Sequence, residues 1–149
     1  MSLLWKQKAE NENVIIVGCG KIGSALAEML EKQNKSVSII DINEHNFKNL
    51  SPSFKGLIIK GDGTDIDLLQ FADAKNAYIL IASTNNDNAN IMIAQMAKQY
   101  FGIKKVFVKI FDTSKQIVYN DMDIVTLCPA KLSAKEIERL LTGMDKEPL

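Results

Sequence analysis

The stretch Val14-Ile-Ile-Val-Gly18-Cys-Gly20-Lys-Ile-Gly23 constrains this chain more than any other. Four consecutive apolar residues suit a strand buried on both faces. Glycines at 18, 20 and 23 complete G-x-G-x-x-G, and a helical pattern starts at once, with Ile22, Leu26, Met29 and Leu30 on one face. The three glycines serve different ends. The first allows a tight exit from the strand, the second close approach of the backbone to a pyrophosphate, and the third close packing of helix on strand. Free N–H groups and the positive end of the helix dipole then favour an anion there. Glycine-rich turns are common, so the spacing gains weight only from the strand that comes next. That strand, Ser36-Val-Ser-Ile-Ile-Asp41, ends on an acid where a nucleotide-binding fold holds its ribose, about 20 residues past the glycines. The alternative is a turn or capping acid before Asn43-Glu44. As a ribose anchor, Asp41 accepts from the sugar hydroxyls and repels a 2′-phosphate, which disfavours NADP.

The rest of the chain alternates strand-like and helix-like segments. Residues 1–12 form a polar leader with a small apolar patch at Leu3, Leu4 and Trp5. The domain itself is expected over 13–143, with a short polar tail at 144–149. Asn34 is placed to stop the first helix in a left-handed conformation, and Asn43 to cap a short helix through Leu50. A third strand at Leu57-Ile-Ile leads into the turn Gly61-Asp-Gly-Thr-Asp65 and a short helix carrying Leu68, Leu69 and Phe71. The fourth strand is Ala77–Ser83. After Thr84-Asn-Asn-Asp-Asn comes a long helix with Ala89, Ile93, Met96, Ala97 and Tyr100 inward and Gly102 as its stop. Val106–Phe111 and Ile124–Cys128 are the fifth and sixth strands, with a short helix around Lys115–Tyr119 between them. Pro129 breaks the pattern before a last helix, in which Ser133 and Glu136 have capping-box spacing, Ile137, Leu140 and Leu141 form an apolar stripe, and Gly143 ends it. Strict alternation predicts an α/β fold: one Rossmann-like, doubly wound, parallel six-stranded sheet of order 3-2-1-4-5-6. Ligand then sits over the carboxyl ends of strands 1, 2 and 4.

Composition narrows the function classes. Lysine plus arginine equals aspartate plus glutamate at 18 each, so no net field attracts nucleic acid or an anionic membrane. Hydrophobic content of 46% is ordinary for a globular chain, and no apolar run reaches a membrane span. Direct membrane insertion is therefore not expected. The two cysteines, Cys19 and Cys128, lack metal-ligand spacing and fit a reducing cytoplasm. Cys19 lies in the phosphate turn, where it is either a thiol activated by the helix N-terminus or simply a small residue that fits. The single histidine, His45, follows Asp41 on the adenosine side and reads as a solvated surface group. No Ser/His/Asp, Cys/His or metal constellation is visible in the sequence.

With these features in place, the residues resemble the TrkA-N family, also called KTN, the N-terminal nucleotide-binding lobe of regulators of potassium conductance. The likeness rests on Val-Gly-Cys-Gly-Lys-Ile-Gly23, Val-Ser-Ile-Ile-Asp41-Ile42-Asn43, Lys60-Gly-Asp-Gly-Thr64, Ser83-Thr-Asn-Asn-Asp87-Asn-Ala-Asn90 and Leu127-Cys-Pro-Ala130. It covers residues 13–142. The resemblance implies a domain that binds NAD(H), ATP, ADP or AMP, pairs as a homodimer or larger homo-oligomer, and controls a membrane-embedded potassium transporter or channel. It places the chain in the cytoplasm, held at the inner face of the membrane by such a partner. It further implies Gly18, Cys19, Gly20, Lys21, Ile22 and Gly23 at the phosphates and Asp41, with Ile42 and Asn43 beside it, at the adenosine ribose. Asp62 and Gly63 would flank the adenine, and Ser83, Thr84 and Asn85 would line the remaining wall. Asp87 and Asn90 read as groups that fix this loop rather than touch ligand. Lys109 stands in strand 5 where the family often has arginine, so a planar bidentate fork toward phosphate is missing. Relatives also continue into a second ligand-binding lobe, so the chain is either a stand-alone subunit or a lobe of something longer.

Two other functions compete with a regulatory switch. One is a small NAD-dependent oxidoreductase that needs a separate substrate-binding partner. The other is a degenerate Rossmann domain used only for assembly. The absence of a catalytic constellation favours binding without chemistry.

Overall fold

The computed structural model describes residues 12–115 and 123–143. Six strands form one parallel sheet: β1 (Asn13–Val17), β2 (Ser36–Asp41), β3 (Leu57–Lys60), β4 (Ile79–Ala82), β5 (Lys105–Lys109) and β6 (Val125–Leu127). Their order across the sheet is β3-β2-β1-β4-β5-β6, as the alternation predicts. The register centres on β1, where Val17 lies between Ile40 of β2 and Ala82 of β4. Order reverses between β2 and β4, which opens a crevice above the carboxyl end of β1.

The period of two along each strand divides the interior into two cores. Ile15, Val17, Ile40 and Leu80 face one side, packed with Leu69, Ile93 and Ala97. Val14, Ile16, Val37 and Ile39 face the other, packed with Cys19, Ala27 and Leu50. Burying both faces is why β1 reads as an unbroken apolar run rather than as an alternating one.

The helices are α1 (Lys21–Lys32), α2 (Ile66–Phe71), α3 (Asp87–Gln95) and α4 (Pro129–Thr142). A 3₁₀ turn, Glu44–Asn49, follows β2, and α3 continues directly into a π-helical turn, Met96–Tyr100. Left-handed stops stand where expected, at Asn34 (φ 62°), Gly102 (φ 65°) and Gly143 (φ 64°). Asn43 caps the 3₁₀ turn, its Oδ1 accepting from the His45 N–H at 3.1 Å.

Three helices differ in detail from the sequence reading. In α1 the buried residues are Gly23, Ser24 and Ala27, whereas Ile22 and Met29 are 40% and 60% exposed. The small-residue face is drawn onto the sheet because Gly23 abuts the backbone of Gly18; Leu26 and Leu30 of the expected face are half-buried against the second core, while Ile22 and Met29 turn outward. In α3 the expected inner face holds through Ile93 and Ala97. The wider π turn then rotates Tyr100 to 60% exposure. Pro129 begins α4 instead of breaking the chain before it, with Cys128 at the N-cap. Its fixed φ and missing N–H suit a first helical position. Ser133 thus lies within the helix, and Ser133–Glu136 is not a capping box.

No residue of α4 is buried. Leu132, Ile137, Leu140 and Leu141 are 51–81% exposed. Among the described residues no helix is long and apolar enough to cross a membrane. The tail at 144–149 and most of the leader and of the short helix expected at 115–119 lie outside the described residues. Glu12 is described, and its carboxylate pairs with Lys35 Nζ at 2.8 Å.

Candidate functional site

A cleft of about 600 Å³ opens over the carboxyl ends of the central strands, within the usual size range of small-molecule sites. Four loops build it. The β1 exit supplies Val17, Gly18 and Gly20; the β2 exit supplies Asp41, Ile42, Asn43 and Asn46. Gly61 to Thr64 follow β3, and Ser83 to Asn86, with Ala89 and Ile93 of α3, complete the wall after β4.

The three fingerprint glycines separate by what surrounds them. Gly18 has φ 108°, and a Cβ there would stand 2.6 Å from the Ser83 carbonyl carbon. A Cβ at Gly23 would stand 1.8 Å from the Gly18 carbonyl oxygen. Those two positions are fixed by the packing of strands and helix. At Gly20 nothing lies within 4 Å of such a Cβ. The open glycine therefore borders the cleft beside the first turn of α1, the geometry that lets an anion approach the backbone.

Asp41 is 8% exposed and acts as a hub. Its Oδ2 accepts from Cys19 N–H at 2.7 Å and from Asn46 Nδ2 at 3.0 Å. Its Oδ1 accepts from Asn43 N–H at 2.8 Å. A carboxylate offers about four acceptor places, so one on Oδ1 is not taken by any described residue, and Asp41 lines the cleft. The Cys19 peptide is held at both ends, because its carbonyl accepts from Asn49 Nδ2 at 2.9 Å. Its N–H thus faces Asp41 rather than the cleft. The Cys19 side chain is fully buried under α1. Burial, reinforced by the charges of Asp41 and Glu28, pushes its thiol up to about 11. The thiol is the opposite of activated, and the small-residue reading of Cys19 holds.

Across the cleft, Asp62 Oδ1 accepts from Thr64 N–H at 2.9 Å and Thr64 Oγ1 at 2.7 Å. These two bonds hold the Asp62 carboxyl below its ordinary range. Gly63 packs against Val17, where a Cβ would meet Val17 Cγ1 at 2.4 Å. Ser83 is buried and its hydroxyl donates to the Val17 carbonyl at 3.2 Å.

Asn90 is fully buried and uses all its capacity. Its Oδ1 accepts from Thr84 N–H and Thr84 Oγ1, and its Nδ2 donates to the carbonyls of Thr84 and Lys109. Asp87 accepts from the N–H groups of Phe111 and Asp112, both at 2.9 Å. Both residues tie the β4 exit to the β5 exit, consistent with a loop-fixing part for each. Lys109 is 9% exposed, donates to Asn85 Oδ1 at 3.3 Å, and lies 5.0 Å from the Phe111 ring centre. Burial lowers its pKa, and the nearby Asp87 carboxylate partly opposes that. Lys109 reaches the cleft wall only through Asn85.

Of the anticipated residues, the fold brings Gly18, Gly20, Asp41, Ile42, Asn43, Asp62, Gly63, Ser83, Thr84 and Asn85 to one cleft. Cys19, Lys21, Ile22, Gly23 and Lys109 support or flank it without lining it. The sequence reading missed Asn46 and Asn49. Asn43, Asn46 and Asn49 recur every three residues, the spacing that aligns side chains along one face of a 3₁₀ helix. No group of three or more potential metal ligands occurs among the described residues.

Known proteins share both sequence and architecture with this chain. The family model "TrkA-N domain" matches residues 14–127. The Trk system potassium uptake protein TrkA of Streptomyces coelicolor is 36% identical over 137 residues, which is 92% of this chain and 61% of that relative. The chain thus spans about three-fifths of the length of such relatives. Among solved structures, the TrkA-N domain of the inner membrane protein ybaL from Escherichia coli has a TM-score of 0.78 at 17% identity, over 88% of this chain and 97% of that one. A Kef C-terminal domain from Shewanella denitrificans in AMP-bound form scores 0.65 at 24% identity, over 90% and 83%. The GsuK channel bound to NAD scores 0.72 at 24% identity, over 89% of this chain and 24% of that one. With an extended family match laid over a crevice built from the same glycine turn and acid-tipped second strand, this chain belongs to the TrkA-N domain family.

Proposed function

We propose that this domain is a regulatory sensor of adenine nucleotides or NAD(H) that controls a potassium transporter or channel from the cytoplasmic side. The observation that carries the reading is the pairing, across one cleft, of the open backbone at Gly20 with the free acceptor place on Asp41. The phosphates lie against the Gly18–Gly23 turn and the first turn of α1. The ribose hydroxyls face Asp41, beside Ile42 and Asn43. The adenine lies between Asp62, Gly63 and the wall formed by Ser83, Thr84 and Asn85, with Lys109 behind Asn85. The AMP-bound and NAD-bound states of structurally similar proteins support a nucleotide of this class. The potassium uptake relative supports the partner.

Binding without catalysis fits the chemistry of the cleft. Asp41 and Asp62 accept three and two protein hydrogen bonds respectively. The two on Asp62 stabilise its charged form, and both acids present acceptors suited to holding a ligand. Regulation then requires a ligand whose affinity differs between two arrangements of a homo-oligomer. The exposed stripe of Ile137, Leu140 and Leu141 on α4 is the proposed contact between copies.

A thermal-shift panel of AMP, ADP, ATP, NAD, NADH and NADP at fixed salt tests the reading. A ligand at 100 times its dissociation constant stabilises by about 2.7 kcal/mol, or roughly 5–10 °C for a chain this size. Adenine nucleotides and NAD(H) are expected to produce such shifts, and NADP a smaller one. A flat response to the whole panel would remove the sensor reading.

A further inference from the structure

The cleft holds a polar side chain to which the ribose reading gives no role, Asn46. Its Nδ2 donates to Asp41 Oδ2 at 3.0 Å, and the residue itself lines the cleft. The neighbouring carboxylate fixes the amide's orientation, since only the nitrogen can face an oxygen acceptor. Asn46 Oδ1 and the second N–H of Nδ2 are then directed elsewhere. Among the described residues neither has a hydrogen-bond partner.

Asp41 has less capacity left than a vicinal diol requires for two separate hydrogen bonds. Its Oδ2 already accepts from Cys19 N–H and Asn46 Nδ2, and its Oδ1 from Asn43 N–H. One acceptor place is left for two hydroxyls. We infer that Asn46 completes the sugar site: one ribose hydroxyl donates to Asp41 Oδ1, and the other bonds to the amide of Asn46. The 3₁₀ geometry makes this possible by setting Asn46 and Asn49 three residues apart on one face of the turn, so that the turn holds the glycine loop and the sugar together. Asn46 is therefore a specificity residue for ribose, and this inference rests on the nucleotide reading above.

The test measures affinities of AMP, 2′-deoxyAMP and 3′-deoxyAMP by calorimetry for wild type, Asn46→Ala, Asn46→Ser and Asn49→Ala. Wild type is expected to bind both deoxy forms about tenfold or more weakly than AMP, the equivalent of ~1.4 kcal/mol per lost hydroxyl contact. In Asn46→Ala one of the two ratios, and only one, falls to about one. Asn46→Ser restores part of that ratio through its hydroxyl and keeps the experiment decisive if the alanine variant folds poorly. Asn49→Ala removes the bond to the Cys19 carbonyl, lowers all three affinities alike and leaves both ratios standing. Both ratios surviving in Asn46→Ala, or both collapsing, would overturn the assignment. So would a change of ratio in Asn49→Ala equal to that in Asn46→Ala. If wild type binds none of the three nucleotides, this assignment fails, and the sensor reading fails with it only when the whole thermal-shift panel is also flat; if wild type discriminates and Asn46→Ala discriminates identically, only this assignment fails.

Discussion

At the scale of single residues, the cleft separates side chains that hold the protein from those left open to a ligand. Asp41 does both. Asp41→Asn keeps the shape but leaves one acceptor oxygen where three donors now point, and sets an N–H₂ against other donors. The variant is expected to lose about 1–3 kcal/mol of stability as well as its ligand response. An unchanged urea midpoint would show that the three bonds hold nothing. Gly20 and Gly23 make a contrasting pair. Gly20→Val meets only open space and keeps its fold, but fills the phosphate region and abolishes nucleotide binding. Gly23→Ala forces a Cβ onto the Gly18 carbonyl and is expected to cost about 1–3 kcal/mol before any ligand is added. Melting and binding curves of the two proteins separate these effects. Cys19 gives a pH signature. Its folded thiol stays neutral to about pH 11, against an ordinary value of 9.0. The unfolded chain therefore releases its proton first as pH rises. The contribution is intact below pH 9 and is lost progressively toward 11. Urea midpoints of wild type should fall more steeply over that range than those of Cys19→Ala, and parallel curves would refute the cause.

At the scale of elements, the clearest features are how α3 is anchored and how α4 is not. Asn86 caps α3 through Ala89 N–H, Asp87 holds the β5 exit, and Asn90 holds Thr84. The wall of the cleft is in this way bonded to two neighbouring strands. α4 carries four large apolar side chains and buries none of them. An apolar stripe on an amphipathic helix suits a partner surface. Leu141→Glu, at a position 81% exposed, should leave the single chain's stability within about 0.5 kcal/mol. Sedimentation equilibrium should show self-association weakened by about tenfold or more, since a charge replaces a buried contact. Equal association of the two proteins would move the interface elsewhere. The apolar periodicity of this helix was legible in the sequence. Whether the stripe packs on its own sheet was not, because that depends on where the chain leaves β6.

At the scale of the molecule, a parallel sheet with reversed strand order creates a crevice at the switch point, and all four loops of the site converge there. Nucleotide-dependent stabilisation measured on the whole chain is therefore the broadest test, and loss of the shift in Gly20→Val alongside its retention in Leu141→Glu would locate the effect in the cleft. The amino-acid order by itself determined the strand sequence, the glycine turn and the acid at Asp41. Each is written in local terms: apolar runs long enough for one buried strand, glycines at turn spacing, and an acid at a strand tip. Tertiary structure alone decided which groups remain free. Asp41 gives most of its capacity to Cys19, Asn43 and Asn46, Lys109 stands behind Asn85, and α1 buries its small face fully while Ile22 and Met29 turn to the surface. Those outcomes depend on partners 20 or more residues away in the case of Cys19 and Lys109, whose hydrogen bonds span 22 and 24 positions. Local pattern carries no record of such partners, because hydrogen-bonding capacity is divided only when the strands are side by side.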